Sequence, residues 1–154
     1  LYRQKRVGKD GRQFALVKFR TMIEHAEQQG VQWTQTKDLR VTKIGSILRK
    51  TRIDELPQLW NILKGDMSFI GPRPERPEFV ATLEKEIPHY PMRHLIKPGL
   101  TGWAQINQPL GGASVKDSME KLQYDLYYIK NRNIIIDFDI LMKTVRVVVS
   151  REGY

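Results

Sequence analysis

The chain of 154 residues has no cysteine. That excludes a disulfide scaffold, a cysteine-ligated zinc site and cysteine nucleophile chemistry. Histidine is scarce: only His25, His89 and His94 occur, too few to suggest an all-histidine metal site. No run is long and apolar enough to span a bilayer. The most apolar region, Ile134 to Val149, is interrupted by Asp137, Asp139, Lys143 and Arg146, whereas a span needs about 20 mostly apolar residues. The opening LYRQKRVGKDG has no apolar signal-peptide core. A Walker-type glycine-lysine loop, a dinucleotide-binding glycine fingerprint, zinc-finger spacing, internal repeats and low-complexity tracts are all missing. Acids are the minority charge, 17 against 26 Lys and Arg, for a net charge of +9. Such a surface attracts nucleic acid, anionic lipid headgroups or a polyphosphate substrate, or serves solubility alone. Nucleic acid has the weakest support, because the basic residues are dispersed and no binding motif accompanies them. The length suits one domain that buries about two-thirds of its unfolded surface.

What is present reads as an α+β chain. Residues 1–22 form a hairpin around Gly8-Lys9-Asp10-Gly11, with Asp10-Gly11 at the turn. Alternation puts Lys18 and Arg20 on one strand face and Val17 and Phe19 on the other. Residues 23–37 are polar and weakly helical, broken at Gly30, with Trp33 as a packing residue. Val41, Ile44, Ile47 and Leu48 have helical spacing. A second helix starts between Thr51 and Asp54, where a capping box fits. Leu56, Leu59, Trp60 and Leu63 make its expected buried stripe, and Gly65 ends it. Residues 66–77 read as a loop stiffened by Pro72, Pro74 and Pro77, which holds Arg73 extended. A short helix over 78–87 follows, then a Pro98-Gly99 turn and a polar, glycine-rich loop over 108–112. Asp117 with Glu120 is expected to cap a helix to Lys130, with Met119, Leu122, Leu126 and Ile129 buried and Asp125 off that stripe. Residues 134–149 fit an amphipathic helix or two short strands.

Chemistry concentrates at Asp54 and Glu55, adjacent acids at a helix start. Neighbours on a helix point about 100° apart, so the pair suits two different jobs better than one symmetric clamp. Helix N–H groups would favour the ionised carboxylates. A carboxylate can attack phosphorus, and phosphoryl transfer needs positive charge on the non-bridging oxygens. Lys18, Arg20, Arg49, Arg73 and Arg76 could supply it. A hard cation held by carboxylate and phosphate oxygens would complete such a site. By itself, a pair of acids at a helix start is more often a simple cap.

Five blocks carry a resemblance. KFRTM (18–22), LRKTRIDELPQL (48–59), KGDMSFIGPRP (64–74), Arg93-His94 and KPGLTGWAQ (97–105) look like the bacterial sugar transferase family, the monotopic polyprenyl-phosphate phosphoglycosyl transferases. Tyr124-Asp125 and Arg151-Glu152-Gly153 resemble the family's C-terminal part. The resemblance implies transfer of a phosphosugar from a UDP-sugar to polyprenyl (undecaprenyl) phosphate, with UMP released. The reaction would initiate bacterial polysaccharide or glycan assembly at the cytoplasmic face of the inner membrane. It implies Asp54 as nucleophile and Mg2+ ligand, Glu55 as its dyad partner, and Arg49 and Arg73 as catalytic cations. Lys18, Arg20, Arg76, Arg93, His94 and Gln105 are the expected substrate-binding residues. Residues 1–154 are then one catalytic domain without the N-terminal membrane anchor, a short hairpin packed on several helices, some of them amphipathic and lying on an anionic membrane surface. Lys97, Arg93, Arg132 and Lys143 are candidates to face that surface. A homo-oligomer is possible. The competing reading is a catalytically inactive scaffold that binds lipid and a biosynthetic partner.

Overall fold

A computed structural model describes residues 1–27, 30, 38–108 and 114–149. Trp33, most of the glycine-rich loop and residues 151–153 lie outside the described residues. The fold is α+β, as its hydrophobic patterning indicates. Strands β1 (Tyr2–Val7) and β2 (Gln13–Lys18) form the antiparallel hairpin, with Arg3 opposite Val17 and Val7 opposite Gln13. Its turn places Asp10 at φ 55°, a left-handed conformation that Asp tolerates better than most residues. β2 ends at Lys18, so the expected alternation through Arg20 does not extend that far. The N–H of Phe19 leaves the ladder and donates to the Asp54 carbonyl at 3.0 Å. Within the 23–37 excursion, residues 24–27 are turn rather than helix.

α1 (Lys43–Lys50) is capped by Thr42, whose hydroxyl accepts from the Gly45 N–H. It packs on Thr21 so closely that a Cβ at Gly45 would lie 2.0 Å from the Thr21 carbonyl oxygen. Thr51 closes α1 rather than opening the next helix, so the expected Thr51–Asp54 capping box does not form. Arg52 then turns left-handed at φ 58°, and residues 53–55 make one 3-10 turn carrying both acids.

α2 (Gln58–Lys64) follows Pro57 and stops at Gly65, φ 89°. Its expected stripe is inverted. Leu56, Leu59, Trp60 and Leu63 are exposed, and Gln58 and Asn61 are buried. The reason is local: the Asn61 amide accepts from the Val17 N–H and donates to the Ala15 carbonyl, acting as a substitute strand along β2. Ile44 and Ile47 of α1 are likewise exposed.

The proline-rich segment contains a strand, β3 (Ser68–Ile70), paired in parallel with β4 (Gly99–Thr101). Pro98-Gly99 therefore leads into a strand and is not a free turn. A Cβ at Gly99 would sit 2.1 Å from the Gly71 nitrogen, so only glycine permits this approach. α3 (Pro77–Glu86), a 3-10 segment over Tyr90–Leu95, and α5 (Val115–Asn131) enclose the main core of Val7, Val80, Leu83, Ile87, Tyr90 and Leu122. The capping box of α5 is Ser114 with Asp117, not Asp117 with Glu120. Asp125 is buried on α5, whereas Met119 is exposed. α4 (Trp103–Asn107) packs on α5, and residues 134–149 form one helix, α6 (Ile134–Val149). Among the described residues no helix is long and apolar enough to cross a membrane.

Candidate active site

The 3-10 turn sets Asp54 at the junction of β2, α1 and the proline-stiffened loop. Its backbone is tied to Phe19, and its side chain is 8% exposed. The carboxylate makes no hydrogen bond or ion pair with a described residue. Burial and the neighbouring Glu55 charge raise its pKa above the usual aspartate range, while Lys18, Arg49 and Arg73 pull the other way. The depressed pKa expected from a helix start is thus not what the site produces. A single 3-10 turn has little dipole to offer, and desolvation outweighs it.

Glu55 is committed elsewhere. It accepts from the Arg73 guanidinium and lies 4.0 Å from that of Arg52. Those cations hold its pKa below the usual glutamate range despite burial, which alone would raise it. Glu55 in turn keeps Arg73 firmly protonated. Adjacent acids thus differ: Glu55 anchors Arg73, and Asp54 keeps its oxygens free.

The cations around Asp54 come from three elements. Lys18 ends β2, with its ammonium 5.6 Å from the Tyr2 ring centre and no acid paired to it among the described residues. Burial first, then Arg6, Arg73 and Arg49, push its pKa down to about 8. Arg49, in the last turn of α1, is fixed by its Nε donating to the Thr21 hydroxyl at 2.9 Å. Arg73 is half exposed in the loop after β3.

The loop is held from two sides. Arg6 donates to the Pro74 carbonyl at 3.0 Å, and the Val7 N–H donates to that of Glu75 at 2.9 Å. Beneath it, Arg93 is 5% exposed and spends its donors on the Asp125 carboxylate, the Tyr90 hydroxyl and the Arg73 carbonyl. Asp125 and Tyr90, which hold Arg93 in place, were not among the expected site residues. Asp125 stood out only as an acid within the helix that carries the family's closing block.

The other expected substrate ligands are placed more widely. Arg76 is buried and forks onto Glu27 through two bonds of 2.7 and 3.1 Å. Arg20 is exposed above the Tyr2 ring. His94 packs edge-on against Tyr90, and burial lowers its pKa to about 4, so it is neutral at pH 7. Gln105 donates to the Leu100 carbonyl at 3.1 Å, and its Oε1 is buried without a partner among the described residues. The structure thus gathers Asp54, Glu55, Lys18, Arg49 and Arg73. Arg93 reaches them through the Arg73 backbone.

A buried carboxylate without a partner among the described residues, a second acid clamping an arginine, and a lysine paired with no acid among them thus lie together. Bacterial sugar transferases match the chain over residues 1–151, and the chain belongs to that family. It is 47% identical over 153 residues to an Aeromonas hydrophila UDP-N-acetylgalactosamine-undecaprenyl-phosphate N-acetylgalactosaminephosphotransferase, covering 99% of this chain and 36% of that protein. A Xanthomonas campestris pv. campestris UDP-glucose:undecaprenyl-phosphate glucose-1-phosphate transferase is 42% identical over 156 residues, 99% of this chain and 32% of its own length. An uncharacterized sugar transferase of Bacillus subtilis (strain 168), EpsL, is 41% identical over 153 residues, 99% of this chain and 71% of its length. The chain thus spans about a third of the first two relatives. Sugar-phosphate transfer to a polyprenyl phosphate is the chemistry of this family, and its members associate with the inner membrane in monotopic or peripheral fashion.

Proposed function

We propose that residues 1–154 are the catalytic domain of a polyprenyl-phosphate phosphoglycosyl transferase that works through a covalent aspartyl-phosphosugar. The single observation that carries this is Asp54, a buried carboxylate with free oxygens beside Lys18, Arg49 and Arg73. In the first step an Asp54 oxygen attacks the β-phosphorus of a UDP-sugar. The bond from that phosphorus to the bridging oxygen breaks, and UMP leaves with its electron pair. In the second step a phosphate oxygen of the polyprenyl phosphate attacks the same phosphorus. The bond to Asp54 breaks, the carboxylate is restored, and a polyprenyl diphosphosugar departs.

Each neighbour has a role in that scheme. Lys18 and Arg49 offset the repulsion between the carboxylate and the pyrophosphate. Arg73, oriented by Glu55, the prolines and Arg93, offers a planar fork to phosphate oxygens. Its position is fixed before substrate arrives, so little is lost to reorganisation.

Among the described residues no group of three or more His, Asp or Glu side chains could hold a metal unaided. Mg2+ does not require one: it is commonly bound through one or two carboxylates together with substrate phosphates and water. Asp54, with its oxygens unclaimed, fits as that protein ligand. When bound there the ion would neutralise phosphate charge. The partners in this reading are a UDP-sugar and undecaprenyl phosphate, at the cytoplasmic face of the inner membrane. A panel of UDP-sugars offered with undecaprenyl phosphate and Mg2+, read by UMP release, tests it. Release with one or more sugars is expected; none with any sugar would leave a lipid- and partner-binding scaffold instead.

A further inference from the structure

A cleft of about 640 Å3 beside β3 shares no lining residue with the Asp54–Arg73 cluster. Three cations line it, drawn from separate segments: Lys9 from the hairpin turn, Lys97 from the approach to β4, and Arg132 from the end of α5. All three are exposed, and none pairs with an acid among the described residues. One carboxylate enters the cleft, that of Asp137, which accepts from the Tyr128 hydroxyl at 2.8 Å. The first N–H groups of α6 are satisfied too, since the Asn133 side chain accepts from Ile135 and Ile136 at 2.9 and 3.0 Å. What remains unmet in the cleft is positive charge.

The cleft also has an apolar exit. Ile134 lines it and opens α6. From Ile134 the residues Phe138, Leu141, Val145 and Val148 fall on one face of the helix, and all are exposed. At about 1.5 Å per residue this strip runs roughly 21 Å. Leu95, also exposed, lies at the same cleft. A free phosphate would answer the cations and leave the strip bare. A glycerophospholipid meets both, its headgroup among the cations and its chains beside the apolar face, the arrangement of a helix lying in a membrane interface.

We propose that this cleft seats the phosphate headgroup of an anionic bilayer phospholipid and sets the depth of α6 in the interface. The proposal rests on the family's membrane association and is independent of the Asp54 chemistry.

The test is cosedimentation of the full chain with vesicles of phosphatidylglycerol in phosphatidylcholine, against phosphatidylcholine alone. Lys97→Glu with Arg132→Glu should weaken binding to the anionic vesicles at least about tenfold, since each surface cation contributes a factor of about five near an anionic leaflet and two are lost. The milder Lys97→Gln with Arg132→Gln should move the same way by less. Lys85→Glu with Lys116→Glu makes the same charge change at exposed positions outside the cleft, and should leave binding within about threefold, as expected if location and not net charge decides. Equal loss in both pairs, or no loss in the cleft pair, overturns the proposal. Displacement of the vesicles by millimolar inorganic phosphate would make this a free-phosphate site and also overturn it. So would a raised KM for undecaprenyl phosphate in detergent with vesicle binding intact, which would mark the cleft as the acceptor site. UMP release and adduct formation are read alongside. Their absence in every form, with vesicle binding behaving as expected, would remove the proposed function and leave this cleft standing.

Discussion

Helices α3 and α5 bury apolar residues in the main core alongside Val7 of the hairpin, whereas α1, α2 and α6 leave most of theirs in the open. Val80, Leu83 and Leu122 lie in the core, while Trp60 is 64% exposed, Leu63 80% and Ile134 83%. In α2 the polar face points inward because Asn61 completes the edge of β2. An apolar face left outward on several helices is what a membrane-associated domain requires, and what a freely soluble one avoids. The dyad sits between the two regions. Its turn is flanked by the outward-facing Ile53 and Leu56, and its arginine is tied through Arg93 to the buried side. The same arrangement would bring a lipid acceptor's phosphate to the nucleophile and keep the nucleophile rigid.

The largest effects are expected from substitutions on the buried side. Arg93→Met leaves the enclosed Asp125 carboxyl without its counter-ion, and should cost about 3–5 kcal/mol in denaturant unfolding. Adding Asp125→Leu should recover most of that stability. UMP release should stay low in the double variant, because the Arg73 carbonyl has still lost its partner. Recovery of turnover along with stability would show that Arg93 acts on the fold alone. Next in size, Leu122→Ala should lose about 2–5 kcal/mol by opening a cavity, measured the same way.

Arg73→Lys keeps the charge and loses the fork. Turnover should fall by tens-fold, on the order of the 2 kcal/mol of a charge-assisted bond, with circular dichroism unchanged. The pH profile of adduct formation sharpens the electrostatics. Asp54 must be ionised, and its pKa is raised, so the rate should fall on acidification at a higher pH than an ordinary aspartate would give. Lys18 must be charged, and its pKa is about 8, so the rate should fall again as pH rises through that value. Lys18→Arg should remove the alkaline limb only. A limb that survives this change belongs to another group. The smallest effect is on the open side: Leu63→Gln should shift stability by no more than about 0.5 kcal/mol. A core-sized loss there would mean that α2 is packed and not presented.

The hairpin, α3, the C-terminal end of α5 and the blocks around the dyad were legible in the chain because each is a local pattern. The inward and outward faces of α1 and α2 were not. Periodicity locates an apolar stripe but assumes that it faces the core, and a membrane surface reverses that assumption. β3 and β4 were hidden for a different reason. Each is three residues long, they pair in parallel across 31 positions from Ser68 to Gly99, and prolines surround them. The site was legible as a list of charged residues, with separate roles for Asp54 and Glu55 implied by the resemblance, but not as a set of side-chain pairings. Glu55 and Arg73 lie 18 residues apart, and Arg93 and Asp125 32 apart. No spacing rule joins such pairs, so the pairing of Glu55 with Arg73 emerges only in three dimensions.

In the proposed mechanism Asp54, and not the adjacent Glu55, forms the bond to phosphorus. Intact-mass analysis of the chain with UDP-sugar and Mg2+ in the absence of acceptor, followed by peptide mapping, addresses it directly. A single added phosphosugar on the peptide containing Asp54, absent in Asp54→Asn and discharged by undecaprenyl phosphate, is the predicted result. An adduct that persists in Asp54→Asn, or UMP release at wild-type rate by that variant, would contradict the account.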